Sequence, residues 1–197
     1  MENKNLVFGH KKPDTDSIAS AISMANLQTN IGNYSESFRL GNVNRETEFA
    51  LKTFSVKHPE LIEKVTENDN VILVDSNEFP QSADGIENAN IKMIVDHHRL
   101  NLQTENPIYC MVEPVGCTST ILYKLYKQNE VKIAPEMAGL MLSAIVSDTL
   151  LFKSPTSTEQ DKFIAGKLSD IAGLDVYDYG YRMLKAGTNL DGYTASE

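Results

Sequence analysis

Residues 5–17 read NLVFGHKKPDTDS, and the way this stretch changes character decides the fold. Residues 5–9 are a short apolar run closed by Gly9, which predicts a buried strand. From Asp16 onward the spacing turns helical, with Ile18, Ala21, Ile22 and Ala25 on one face. Between the two lies a loop carrying His10, Asp14 and Asp16. The same transition recurs downstream. Residues 71–74 (VILV) end at Asp75, and residues 92–95 (KMIV) end at Asp96-His97-His98. Continuous aliphatic runs of this kind mark strands covered on both faces. Residues 37–40 and 107–112 read as further, weaker strands.

Helical periodicity covers residues 46–54, 117–128, 135–152, 158–172 and 176–185, and His58-Pro59 reads as the opening of another short helix. Pro135 suits a first helical turn, and Gly173 and Gly187 suit helix exits. Strands alternating with helices predict an α/β fold with a mostly parallel sheet and helices on both faces. The expected organisation is one domain over residues 1–187, with 188–197 a polar tail or the start of a linker.

The chain of 197 residues is 41% hydrophobic and 23% charged, the composition of an ordinary globular protein. No apolar run reaches the roughly 20 residues needed to span a bilayer, and residues 1–10 are too polar for a secretory signal. A cytoplasmic protein without a membrane partner is expected. Cys110 and Cys117 match no zinc spacing and are read as reduced packing residues. The net charge of -9, from 27 acidic against 18 basic residues, argues against a nucleic-acid partner, which calls for a basic face. It leaves room for a compact anion met by local cations, although solubility explains the balance equally well.

In open α/β sheets, ligands gather beyond the carboxyl ends of the strands. His10, Asp75 and His97 each follow such an end, so parallel strands would bring them to one edge. Asp14 and Asp16 stand where loop becomes helix, and one of them would serve as a helix cap. A calcium loop is excluded, because counting from Asp14 puts Ala19 and Ala25 where glycine and glutamate are required. An aspartate at the end of VILV serves equally well as a cap. An acid followed by two histidines is harder to ascribe to packing. Three of the four histidines fall in these two segments, and His58 reads as surface. Asp148 lies in the apolar run AGLMLSAIVSDTLLF, where a carboxylate must be paired, protonated or bound to metal. Four carboxylates and two imidazoles make a mixed oxygen and nitrogen set, better suited to a pair of Mn²⁺ or similar ions than to a thiolate zinc site. Two such ions about 3.5–4 Å apart can activate water and polarise a phosphoryl group.

The segments GHKKPDTDS, VDSNE, DHH at 96–98 and SDT at 147–149 resemble the DHH phosphoesterase superfamily. EPVGCTSTIL at 113–122, AGLMLSAIVSDTLLFKSPTS at 138–157 and MLKAG at 183–187 resemble, within it, the family II (manganese-dependent) inorganic pyrophosphatases. The resemblance implies hydrolysis of pyrophosphate to two phosphates with two Mn²⁺ per chain, Co²⁺ or Mg²⁺ being alternatives. His10, Asp14 and Asp75 would hold one ion, and Asp16, Asp75, His97 and Asp148 the other, with a hydroxide shared between them. His98 would contact phosphate and assist proton transfer, sharing the catalytic roles with Asp75 and Asp148. Asp96 and Asn77 would orient the ligands.

Two departures stand out: Ser76 occupies a position that is usually histidine, and a C-terminal domain bearing a Ser-Arg-Lys-Lys-Gln segment would be missing. Arg99, Lys153 and Lys11 are the nearest cations in sequence. Metal binding is therefore expected to survive in this chain and turnover to fall. The resemblance also implies a homodimer through this domain. Two other readings stay open: a phosphodiesterase of short oligonucleotides or cyclic dinucleotides, and a non-catalytic metal-binding or dimerisation module.

Overall fold

In a computed structural model describing residues 4–104 and 106–188, six strands form one parallel sheet. They are β1 (Asn5–Phe8), β2 (Ser35–Arg39), β3 (Glu60–Leu61), β4 (Asn70–Val74), β5 (Asn90–Asp96) and β6 (Tyr109–Val112), in the order β3-β2-β1-β4-β5-β6. Every neighbouring pair is parallel, and one register shift falls between Val71 and Ile72 in the β4–β5 pairing. The order reverses beside β1: the chain runs outward through β2 and β3, then returns to place β4 on the other side of β1. This switch point sets the carboxyl ends of β1, β4 and β5 side by side, where a ligand crevice is expected in such sheets.

Alternation along the strands divides the apolar core. Val7, Ile72, Val74 and Val95 face one side, where they join the buried faces of α1 (Thr15–Asn30), α2 (Arg45–Thr53), α3 (Thr118–Gln128), α4 (Pro135–Asp148), α5 (Glu159–Ala172) and α6 (Val176–Thr188). Leu6, Phe8, Val71, Leu73 and Ile94 face the other side and meet Phe38, Val65, Ala83 and Ile86. The helical cover is therefore unequal. The second face carries loops and two short 3₁₀ turns, Phe79–Gln81 and Ile86–Asn88, in place of long helices. Buried hydroxyls tie the helical side together. Tyr126 of α3 donates to the Ser23 carbonyl of α1 at 2.7 Å, and Tyr179 of α6 pairs with Ser143 of α4 at 2.6 Å. Among the described residues no helix is long and apolar enough to cross a membrane.

Several elements differ from the sequence reading. His58-Pro59 opens no helix: the chain stays extended and adds β3 beside β2, with Arg39 Nε donating to the Pro59 carbonyl at 3.1 Å. His58 is exposed, as expected. The helix expected to run to residue 152 stops at Asp148, and Leu150, Leu151 and Phe152 turn with φ of 47°, 53° and 67°. Thr149 explains the stop. Its hydroxyl donates to the Ile145 carbonyl at 2.5 Å and accepts the Phe152 amide at 3.1 Å, giving the backbone an alternative to the next helical turn. Gly173 is the left-handed exit of α5, whereas Gly187 lies inside α6, where a Cβ would stand 3.0 Å from Glu46 Oε2. Cys117 is buried as expected, but Cys110 is exposed on β6 because that strand borders the sheet. Residues 189–197, expected to be a tail, lie outside the described residues.

Candidate metal centre

The first functional loop begins where β1 ends. A Cβ on Gly9 would lie 2.0 Å from Ser17 Oγ and 3.0 Å from the Val74 carbonyl, so only glycine lets the strand pass this close to the start of α1. The amide of His10 then donates to Ser17 Oγ at 3.1 Å. Asp14 caps α1 by accepting the Ser17 amide at 3.0 Å, while its other oxygen lies 3.6 Å from His10 Nε2. It thus serves as a cap and faces the centre at once. Asp16 is fully buried in the first turn of α1 and reaches across to the start of α3. It accepts the Thr118 amide at 2.7 Å and the Ser119 amide at 3.3 Å, with the hydroxyls of Ser20 and Ser119 at 2.6 and 3.1 Å. Cys117, the N-cap of α3, offers no side-chain cap. The Asp16 carboxylate fills that role and meets the positive end of the helix.

Asp75 follows β4 with φ of 55°, a left-handed conformation that aspartate tolerates better than most residues. Its amide still donates to the Val95 carbonyl at 3.0 Å, so the backbone turns out of the sheet only after the pairing with β5 is complete. One carboxylate oxygen lies 3.4 Å from His10 Nε2 and the other 3.3 Å from His97 Nε2. Asp96, buried at the end of β5, orders the two histidines after it. It accepts the amides of His97 and His98 at 2.7 and 3.1 Å, His98 Nδ1 at 2.9 Å and Asn77 Nδ2 at 2.6 Å. His97 Nδ1 lies 3.1 Å from the Val115 carbonyl, which aims Nε2 at Asp75, Asp148 and Asp16, at 3.3, 3.8 and 4.0 Å. Asp148 is the last residue of α4.

Asp75, His97 and His98 make one group whose ligand atoms lie within 4.8 Å of one another, and two more hold the six residues: His10, Asp14 and Asp75, then Asp16, Asp75, His97 and Asp148. Asp75 belongs to all of them. All six residues singled out from the sequence meet here, and His98, at 3.8 Å from Asp75, stands at the rim. A cavity of about 460 Å³ opens beside them, lined by His10, Asp14, Asp75, Ser76, Asn77, Glu78, Gln81, His98 and Arg99. Lys11 is turned away to Asp84 at 2.8 Å, and Lys153 does not line the cavity.

The electrostatics of the centre call for cations. Burial raises the Asp75 carboxyl, and the charge of Asp16 adds to that, against the histidines that stabilise its ionised form; it stands at about 6. Burial and the charges of Asp16, Asp75 and Asp14 push Asp148 well above the usual carboxylate range. Burial works to lower His10, but the facing carboxylates Asp14 and Asp75 outweigh it and hold it at about 10. The same opposition holds His97 at about 9, with Asp75 and Asp16 as the main counter-charges. For His98 the bond to Asp96 dominates and raises the imidazole. Asp75 Oδ2 and His10 Nδ1 are buried without a hydrogen-bond partner. Converging carboxylates, an unsatisfied carboxylate oxygen and at least one imidazole in each group fit divalent cations.

The supporting contacts were not legible locally. Glu46 accepts the Thr15 hydroxyl at 3.1 Å and the Ser147 hydroxyl, gripping residues next to Asp14, Asp16 and Asp148. Thr118, Ser119 and the Val115 carbonyl likewise act from places that no sequence spacing links to the centre, whereas Ser20 stands one helical turn from Asp16.

The profile of the DHH family, N-terminal domain, matches residues 4–145. The chain belongs to that family. Among curated proteins it is 58% identical over 194 residues to a "Probable manganese-dependent inorganic pyrophosphatase" of Exiguobacterium sp., and 52% identical over 195 residues to one of Oceanobacillus iheyensis. Each match covers 98% of this chain, and the chain spans 63% of the length of either relative. Among solved structures, a protein of Methanococcus jannaschii described as a candidate family II inorganic pyrophosphatase superposes with a TM-score of 0.87 at 44% identity, over 92% of this chain and 61% of that one. An exopolyphosphatase-related protein of Bacteroides fragilis shares the fold, with a TM-score of 0.75 at 19% identity over 98% of this chain and 58% of that one.

Proposed function

We propose that this chain is the metal-binding core of a manganese-dependent inorganic pyrophosphatase, acting in the hydrolysis of pyrophosphate to two phosphates. The observation that carries this reading is the pair of ligand groups joined at Asp75, in a chain more than half identical to proteins named for that activity. His10, Asp14 and Asp75 would hold one Mn²⁺, and Asp16, Asp75, His97 and Asp148 a second. Bound there, the two ions would lower the pKa of water and polarise phosphoryl oxygens.

The chain's own residues divide the remaining work. Asp75 keeps the two groups in a common frame, held between His10 and His97. Asp96 and Asn77 lock His98 through its Nδ1 side, leaving Nε2 as the nitrogen that can contact a phosphate oxygen and hand on a proton. Arg99, 86% exposed and on the cavity wall, can swing onto an anion. The reaction adds one water across the P–O–P bridge, and turnover by this chain alone is expected to fall below that of its longer relatives.

Calorimetric titration with Mn²⁺, paired with phosphate release from pyrophosphate and from a cyclic dinucleotide, tests the reading. Wild type is expected to bind two ions and prefer pyrophosphate, and Asp75→Ala to lose binding. A wild-type protein that binds no Mn²⁺ would refute it.

The same reading includes a homodimer and a cytoplasmic location. Strand β6 borders the sheet with Tyr109 and Cys110 exposed, an edge open to pairing with a second copy. Cys110→Pro, which removes an outward-facing donor from that edge, is expected to shift sedimentation towards monomer. Cysteines that stay as thiols, Cys110 and Cys117, suit a reducing compartment.

A further inference from the structure

Asp161 is a fully buried carboxylate far along the chain from every residue of the centre. It sits in the first turn of α5 and forms a capping box with Thr158, accepting its amide and its hydroxyl, each at 2.7 Å. A cap needs no more than this, and most capping carboxylates stand in water. Asp161 instead spends its remaining acceptor capacity on another element. It takes the Gly116 amide at 2.9 Å and the Thr120 hydroxyl at 2.6 Å. All four donors are neutral. Buried ionised groups are costly unless fully hydrogen-bonded, so a carboxylate held this way fixes its partners firmly. Gly116 presses against it so closely that a Cβ there would lie 2.8 Å from Asp161 Oδ2 and 2.9 Å from Thr149 Cγ2.

What lies between Gly116 and Thr120, and just before, matters for the centre. The Val115 carbonyl meets His97 Nδ1 at 3.1 Å. The Thr118 and Ser119 amides hold the Asp16 carboxylate. We propose that Asp161 is a positioning residue: by anchoring Gly116 and Thr120 it sets the 115–119 segment, which in turn orients the His97 imidazole and the Asp16 carboxylate. Both belong to the four-residue group, and neither belongs to the group of His10, Asp14 and Asp75. The inference rests on the metal reading given above, and it predicts an effect confined to one of the two cation positions.

The test is calorimetric titration of Mn²⁺ into the full chain, with the visible absorption of the Co²⁺-loaded protein and a urea unfolding curve for each variant. Thr120→Val removes one of the two cross-links and leaves the Gly116 amide in place, and Asp161→Ala removes both together with the cap. Both are expected to weaken one Mn²⁺ position by about 10–100-fold, the range for partners that orient ligands, and to shift the Co²⁺ bands. Thr120→Ser, which keeps the hydroxyl, is expected to retain wild-type affinity. Thr158→Ala removes the cap alone, so its urea midpoint is expected to fall while both Mn²⁺ affinities hold. Asp161→Ala binding both ions as wild type does would overturn the proposal, as would equal weakening in Thr158→Ala. A wild type that takes up no Mn²⁺ would instead refute the metal reading, and this inference with it.

Discussion

An Asp75→Asn substitution keeps the shape of the side chain and removes its charge, so it separates what that charge costs the metal-free fold from what it offers a cation. Asp75 is 2% exposed and shares the centre with Asp14, Asp16 and Asp148. Its carboxyl group is raised by burial and by the charges of Asp16 and Asp14 from 3.8 to about 6, with the attraction of His10 and His97 already included. That displacement corresponds to a ceiling of about 3 kcal/mol. Because the folded-state value is the higher one, the penalty applies above about pH 6, where the folded carboxylate is ionised. It vanishes below 3.8, where the group is protonated in both states. At pH 8 in a chelator, urea unfolding is expected to show the variant about 1–3 kcal/mol more stable than wild type. Mn²⁺ should then invert the order. At a hundred times its dissociation constant, one bound ion adds about 2.7 kcal/mol to wild type, and the variant, short of the residue common to both groups, should gain little. A variant less stable than wild type in chelator at pH 8 would refute the electrostatic reasoning, and one that gained as much from Mn²⁺ would refute the shared role of Asp75.

Other outcomes follow from particular contacts. Gly9→Ala drives a methyl group into Ser17 Oγ at 2.0 Å; overpacking of this kind costs about 1–3 kcal/mol, and with His10 displaced, calorimetry should show at least a tenfold loss of Mn²⁺ affinity. Leu150 and Leu151 share left-handed backbone, which costs a non-glycine residue about 1–2 kcal/mol. Exposed Leu150 should tolerate glycine with a net gain of about 0.5 kcal/mol, whereas Leu151→Gly also loses its packing against Gly180 and should destabilise; equal changes in thermal unfolding would contradict the strain. In the metal-free protein, His10 at about 10 and His97 at about 9 are protonated at neutral pH. Their contribution to stability is complete below 6.5 and is lost as pH rises through 9 to 10. Mn²⁺ must displace those protons, so titration at pH 7.5 in buffers of differing ionisation enthalpy should reveal proton release that includes both imidazole protons; no buffer dependence would contradict it.

The parts of this protein that could be read from its sequence are those whose cause is local. VILV and KMIV declare buried parallel strands because both faces of each strand are apolar, and an acid followed by two histidines at the end of the second has few packing reasons to be there. Asp148 stood out because an ionisable group inside an apolar run needs a partner, wherever that partner lies. The misread elements depend on distant neighbours. Extended chain after Pro59 becomes a strand only because β2 is beside it. Leu150-Leu151-Phe152 fits a helical period, yet Thr149 turns the chain there. Gly187 resembles a helix exit, but it stays within α6, close beside Glu46.

The same division runs through the site. Sequence alone named the six residues that converge, because each carries its chemistry with it. Tertiary structure alone decided how they are held: Asp16 on the start of α3, His97 against the Val115 carbonyl, Asp161 beneath both. Those contacts join residues 18 to 103 positions apart. Hydrogen bonds between neutral donors and a carboxylate leave no pattern in the chain, since many serines, threonines and amides could supply them and only the fold selects which ones do.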